Sequence, residues 1–442
     1  MKPIQKSIIN DFRHGILFAL LAFFAIFFFS PQLERIEYGL YDLGSRLRVK
    51  PANSPVSVIA IDERSIADFG PWPWPRSYIA FMIDMLDAYE AKVIGLDIIY
   101  SGKDLNHGLK EVVNIIKTIE SNPQYSKKNI STVVLLAALK DAEQRLDNDA
   151  ILANSVAASQ KVVMPVLFHL KKSNQTLYNF YTDYLNANSL FPYPSDKSVV
   201  ARDINVPIDP FANEALRLGH INIFADNDNA VRSETFFIKY NGRIFPSLAL
   251  QLVLAYFDLD LTDLSFGKNL GFAHKSIPLI NQNRMLISFK NDIPYYSFID
   301  VINKNIPAEA FKNKIVIIAP STVGLGELRE TSIARKVPSV NIIANIIDNI
   351  LSDDYITRPD WAFALELMMI FLFGLFITLM IPRLGAFIST IITLAVLALW
   401  ISASLYLFVH YGYWIKAVYP AFVLLMGHII IVSKRYEVAP KM

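Results

Sequence analysis

Six residues between Val56 and Tyr100 are the strongest candidates for chemistry: Asp62, Arg64, Trp72, Trp74, Arg76 and Asp97. Asp97 sits inside an apolar run. A buried carboxylate must be hydrogen-bonded, paired or protonated. Arg64 and Arg76 both follow the first apolar run, so either is a candidate partner. Two readings stay open. Asp97 is a structural ion pair that pins a loop, or a carboxylate that coordinates a ligand. Pro71, Pro73 and Pro75 restrict the backbone on both sides of Trp72 and Trp74. That stiff strut makes either a lid over a sheet or the aromatic wall of a ligand site, with Arg76 clamping an anion.

The elements that must position these residues follow from periodicity. Val56 to Ile61 is a compact apolar run ending at Asp62. A second apolar run carries Asp97, and a segment of helical period lies between. Two strand-like runs about 30 residues apart with a helix between them read as a β-α-β unit. In parallel sheets of that kind, ligands bind beyond the carboxyl ends of the strands. Asp62 and the Trp/Pro loop would lie there.

Further along, Lys103 to Asn129 reads as a polar insertion and Asp141 to Gln160 as a helix. Lys161 to His169 reads as a third strand. Gly219 to Phe224 and Val231 to Tyr240 flank an Asn/Asp-rich turn and suggest a hairpin. Phe245 to Phe257 and Val340 to Leu351 read as helices, and Met285 to Phe289 and Lys314 to Ala319 as strands.

Other constellations carry less. Asp226 and Asp228 resemble a fragment of a calcium loop, but its glycine and its closing glutamate are missing. Gly324-Leu325-Gly326 lacks the rest of a phosphate loop. His169, His220 and Ser321 have no spacing that supports a hydrolase. No cofactor, metal site or catalytic residue is expected, and the chain reads as a non-enzyme. There is no cysteine, so disulfides and thiolate sites are excluded. The net charge is +2 in 442 residues. No basic footprint for nucleic acid appears.

The chain is 53% hydrophobic and 19% charged, with the apolar residues concentrated at its ends. Gly15 to Ser30 is uncharged and lacks a small-x-small cleavage site, which favours an uncleaved anchor. Trp361 to Ile381, Ala386 to Val409 and Trp414 to Val432 are each long enough to span. Lys/Arg placement puts both chain ends inside and the large middle outside. The expected division is a cytoplasmic N-terminus (1–14), an anchor (15–33), an extracytoplasmic domain (34–360), three hairpinned helices (361–432) and a cytoplasmic tail (433–442). Glu366 and His428 are then polar groups within the membrane. The expected fold class is an α/β extracytoplasmic domain with a mixed, mainly parallel sheet and flanking helices, plus four transmembrane helices.

Several motifs add a resemblance. They are E-Y-G-L-Y-D-L-G-S-R-L-R (Glu37 to Arg48), V-I-A-I-D-E-R-S-I (Val58 to Ile66), G-P-W-P-W-P-R (Gly70 to Arg76) and A-K-V-I-G-L-D-I-I-Y (Ala91 to Tyr100). Later come G-H-I-N-I-F-A-D-N-D-N-A-V-R (Gly219 to Arg232), G-L-G-E (Gly324 to Glu327) and the run from Ile342 through I-T-R-P to Pro359. Together they resemble the type-2 CHASE domain family of bacterial extracellular sensory domains, found with cyclases, histidine kinases and Ser/Thr kinases. The chain departs from the family pattern at Asp228-Asn229, Ala319-Pro320 and Ile343.

The resemblance implies a sensor in the bacterial inner membrane, here without a C-terminal output module. It would bind a small molecule or protein outside and signal to a separate cytoplasmic enzyme. The alternative is an envelope assembly protein that uses the α/β domain for protein contacts. Expected partners are the lipid bilayer, an unknown small-molecule ligand, a signalling or envelope protein, and a second copy in a homodimer.

Overall fold

The computed structural model describes residues 30–104, 106–122, 130–171, 182–192, 197–281, 283–322 and 324–438. The expected cytoplasmic N-terminus, most of the expected anchor and the last four residues lie outside the described residues.

A seven-stranded sheet forms the centre. Its strands are β1 (Val56–Ile61), β2 (Val93–Leu96), β3 (Val162–His169), β4 (Asp203–Asn205), β5 (Arg217–His220), β6 (Tyr295–Ser297) and β7 (Ile315–Pro320). The spatial order is β6-β1-β7-β2-β3, with β5 and β4 both on β3. All pairings are parallel except β3 with β4. The mainly parallel mixed sheet expected from the sequence is therefore present. One feature of the opening unit differs. β1 and β2 do not pair, because β7 from far along the chain lies between them and bonds to both.

Alternation explains why the strands are apolar throughout. Val58, Ile317 and Val93 face one core, and Ile59, Ile318 and Ile94 face the other. The helices Leu248–Tyr256 and Ser339–Ser352 cover the first face. Arg76–Ala88 and Asn148–Ser159 cover the second. Each large side chain so buried contributes about 1.5–3 kcal/mol.

Three segments correct the periodicity reading. The polar stretch from Lys103 holds a helix, His107–Ser121, capped by Asn106. The helix expected over Asp141 to Gln160 is two helices, Ile130–Leu146 and Asn148–Ser159, divided where Asp147 caps the second. The hairpin expected around Asp226 does not form. Its first flank, β5, pairs with β3, and Ala230–Val231 pairs with Leu328–Thr331. The hairpin falls instead between Phe237–Tyr240 and Arg243–Pro246, where Asn241 and Gly242 take positive φ in the turn.

Two helices, Asp360–Arg383 and Ala386–Tyr411, are long and apolar enough to cross a membrane, and the apolar helix Val418–Ser433 is shorter. Residues 414–417, expected inside the last span, are not helical. Their amides bond elsewhere: Trp414 N–H donates to Thr357 O at 2.8 Å and Lys416 N–H to Glu366 Oε1 at 2.7 Å.

Candidate functional site

The expected site residues divide among separate tasks at the carboxyl ends of β1 and β2. Asp62 caps the helix Glu63–Phe69. Its Oδ1 accepts from the Ser65 amide at 2.9 Å, the Ser65 hydroxyl at 2.6 Å and the Ser297 hydroxyl at 2.8 Å. Arg64 is exposed and makes a two-pronged pair with Asp300 at 2.8 and 2.9 Å. Trp74 is buried; its indole donates to Gly70 O at 2.8 Å, and its ring meets Phe69, Trp72 and Phe298. The Trp/Pro strut thus packs over the edge of the second core.

Arg76 is buried and bonds Asp149 and Gly102 O. Its guanidinium also lies over Tyr100 and Phe211, at 4.8 and 5.2 Å. Asp149 takes the Asp104 amide as well, so Arg76 ties the loop after β2 to the start of a covering helix.

The expected pairing of Asp97 with Arg64 or Arg76 is not formed, because both arginines reach other carboxylates. Asp97 has instead the Ser339 hydroxyl at 3.4 Å. Burial raises its carboxyl to about 7; the Ser339 bond opposes the rise and the Glu327 charge adds to it. Tyr295 completes this end of the sheet. Burial lifts its hydroxyl to about 12; a Ser321 bond opposes that, and the charges of Asp97 and Asp62 reinforce it. Asp62 and Asp97 stand on either side of β7, about 10 Å apart at the usual strand spacing. Ser321 follows β7 and His220 closes β5, three strand positions away, so these two do not meet. Burial pushes His220 down to about 3, leaving a neutral core imidazole.

A denser polar site lies where the domain meets the apolar helices. The helix over residues 30–48 turns Glu37, Tyr38, Tyr41, Asp42, Ser45 and Arg48 toward it. Arg232 is its hub, at 2% exposure. It bonds Asp42 through Nε at 2.8 Å and Nη2 at 2.9 Å, and Asp228 through Nη1 at 2.8 Å and Nη2 at 2.7 Å. Asp226 lies 3.3 Å away, and the Tyr38 ring 4.4 Å. Burial by itself would lower the pKa of Arg232; the Asp228 and Asp42 carboxylates raise it instead. Asp226 and Asp228, seen in sequence as turn chemistry, are therefore the acids that hold Arg232 against the first helix.

A second clamp lies beside it. Arg48 donates to Val409 O at 2.7 Å and to Asp354 at 2.5 Å, and Lys290 also bonds Asp354. Burial would raise the Asp354 carboxyl, but Lys290 and Arg48 outweigh it and hold it at about 2. Close packing accompanies the clamp. A Cβ on Gly44 would lie 2.7 Å from the Phe408 ring. Gly412, at φ 72°, leaves room for Tyr355 O, which a Cβ would meet at 2.5 Å. Glu37 is buried and accepts from Trp414 Nε1 and Val418 N, both at 3.0 Å. Glu366 accepts from Arg358 at 2.8 Å. His428, deeper in the helices, has the Thr390 and Thr393 hydroxyls at 3.1 Å from its two ring nitrogens.

Sequence reasoning passed over Asp42, Arg48, Arg232 and Asp354. The available signal was charge at helical spacing in Glu37 to Arg48, just after an apolar segment.

The geometry defines a class: an α/β domain seated on apolar helices through a buried, charged junction. A family model for the CHASE2 domain matches residues 18–380, and the chain belongs to that family. A CHASE2 domain is a sensory domain of extracellular type, consistent with a sensor role for this chain. No curated protein and no solved structure matches the chain.

Proposed function

We propose that the protein is a non-enzymatic sensor of the bacterial inner membrane, with its α/β domain outside and four membrane helices. It binds a small molecule or protein outside and passes that state through its helices to a cytoplasmic partner. Both chain ends are cytoplasmic in this reading. The observation that carries it is the Arg232 clamp, which joins the 226–228 turn of the domain to Asp42 on the helix after the expected anchor. A ligand that favours one arrangement of this junction would shift the helices with it. The test is purification of the intact protein from native membranes, followed by mass spectrometry of what accompanies it. A cytoplasmic signalling enzyme is the expected companion. A stable envelope complex without one would overturn the proposal.

The second reading, an envelope assembly protein, draws support from one feature. The helices His107–Ser121 and Ile130–Leu146 expose Ile115, Val133, Val134 and Leu135, as a protein-contact arm would. The same purification separates the two readings.

A further inference from the structure

A cavity of about 290 Å³ opens beside the Arg232 clamp. It is near the small end of ligand pockets, which run to about 300–1,000 Å³. Three chain segments meet around it, and two of them lead into apolar helices. Glu34 comes from the helix over residues 30–48, Arg358 precedes the helix that begins at Asp360, and Lys416 precedes the one that begins at Val418. In the membrane reading proposed above, on which this inference rests, that level is the outer headgroup layer.

Of the three arginines on the wall, Arg232 is fully committed to its clamp, while Arg358 and Arg284 each have one end committed and one free. Arg358 gives Nη2 to Glu366, while its Nη1 is buried without a partner. Arg284 gives Nη2 to Asp226 at 3.0 Å, while its Nε is buried without a partner. The Lys416 ammonium lies over the Trp414 and Tyr419 rings, at 5.7 Å from each, and among the described residues no carboxylate pairs with it. The Glu34 carboxylate accepts from the Tyr38 hydroxyl at 3.2 Å, and among the described residues no cation pairs with it.

Unpaired buried donors cost free energy, so an acceptor that reaches them is stabilised. A purely anionic ligand would satisfy the arginines and lysine but face Glu34. A purely cationic one would satisfy Glu34 and leave the donors empty. A ligand with a phosphate at one end and a primary amine at the other satisfies both. A quaternary amine offers Glu34 no N–H. We infer that this cavity binds a phosphoethanolamine-type group, whether on a phospholipid or free, and that an occupied cavity braces the Arg232 clamp.

The test uses the full-length protein in detergent, loaded with equal amounts of phosphatidylethanolamine, phosphatidylglycerol and phosphatidylcholine and read by native mass spectrometry. Phosphatidylethanolamine is expected to be retained about tenfold over the other two, the value of one charge-assisted hydrogen bond. Glu34→Gln should move the preference toward phosphatidylglycerol, and Lys416→Gln should reduce retention of both. Neither residue is in an ion pair, so both variants should fold. Stabilisation of lipid-free protein by soluble phosphoethanolamine, as strong as that by the lipid, would support the site and assign it a free ligand. Equal retention of the three lipids, or an unchanged preference in Glu34→Gln with no response to soluble phosphoethanolamine, would overturn the inference. Alkaline carbonate extraction separates the two failures. Release of the protein from membranes sinks the membrane reading, whereas retention without lipid selectivity sinks this inference alone.

Discussion

The carboxyl end of the sheet and the membrane junction both collect acids and arginines, yet they use them differently. At the sheet end, the charges are spread out. Arg64 meets Asp300 in solvent, Asp62 serves as a helix cap, and Asp97 has only a distant hydroxyl. At the junction, one buried arginine gathers Asp42, Asp226 and Asp228 from two parts of the chain. Exposed pairs are screened by water, while loss of the buried hub leaves Asp42 and Asp228 without their partner and Asp226 with Arg284 alone. The junction is thus the place where a local change has consequences across the molecule.

The comparison can be broken most directly at its strong side. Arg232→Ala should destabilise the intact protein by about 3 kcal/mol, because the partly buried Asp42 and Asp228 lose their partner. Thermal unfolding in detergent reads this, and an unchanged midpoint would remove the hub from the account. Trp74→Ala should cost roughly 3 kcal/mol from lost aromatic packing, without changing how the helices sit on the domain. Thermal unfolding reads this loss as well, and an unchanged midpoint would show that the Trp/Pro strut is not packed as described.

Asp97 sharpens the contrast through pH. Its carboxyl is near 7 when folded and near the ordinary aspartate value when unfolded, so the native state holds the proton longer. Below about pH 4 the two states bind it equally. Between about pH 4 and 7 the folded state loses about 1.4 kcal/mol per pH unit from this group. Asp97→Asn should therefore match the wild type near pH 4 and exceed it near pH 8. Equal midpoints at pH 8 would show that Asp97 is not held in this way.

Asp62→Ala should cost about 1 kcal/mol as a lost helix cap, measured by denaturant unfolding. At the weakest end, Arg64→Ala should leave the unfolding midpoint where it is. A clear drop there would mean that the sheet end relies on its exposed pair after all.

Strand and helix periods made the α/β class legible, since β1, β3 and β7 each read as apolar runs. Two of the three spans expected after Pro359 were legible by length, and the third is a shorter apolar helix. Partner choice was not. Nothing between Arg64 and Asp97 indicates that Arg64 bonds Asp300 or that Arg76 bonds Asp149. The Asn241-Gly242 hairpin carried a readable turn signal, whereas the flanks of Asp226 paired with strands distant in the chain.

The sequence by itself determined which segments are apolar, at what period, and which polar residues interrupt them, because burial depends on each residue's own chemistry. Only the tertiary structure decided that β7 parts β1 from β2, that Asp97 lacks an arginine, and that Arg232 reaches Asp42. Those outcomes depend on which distant segments fill the same space, and packing sets that for the whole chain at once.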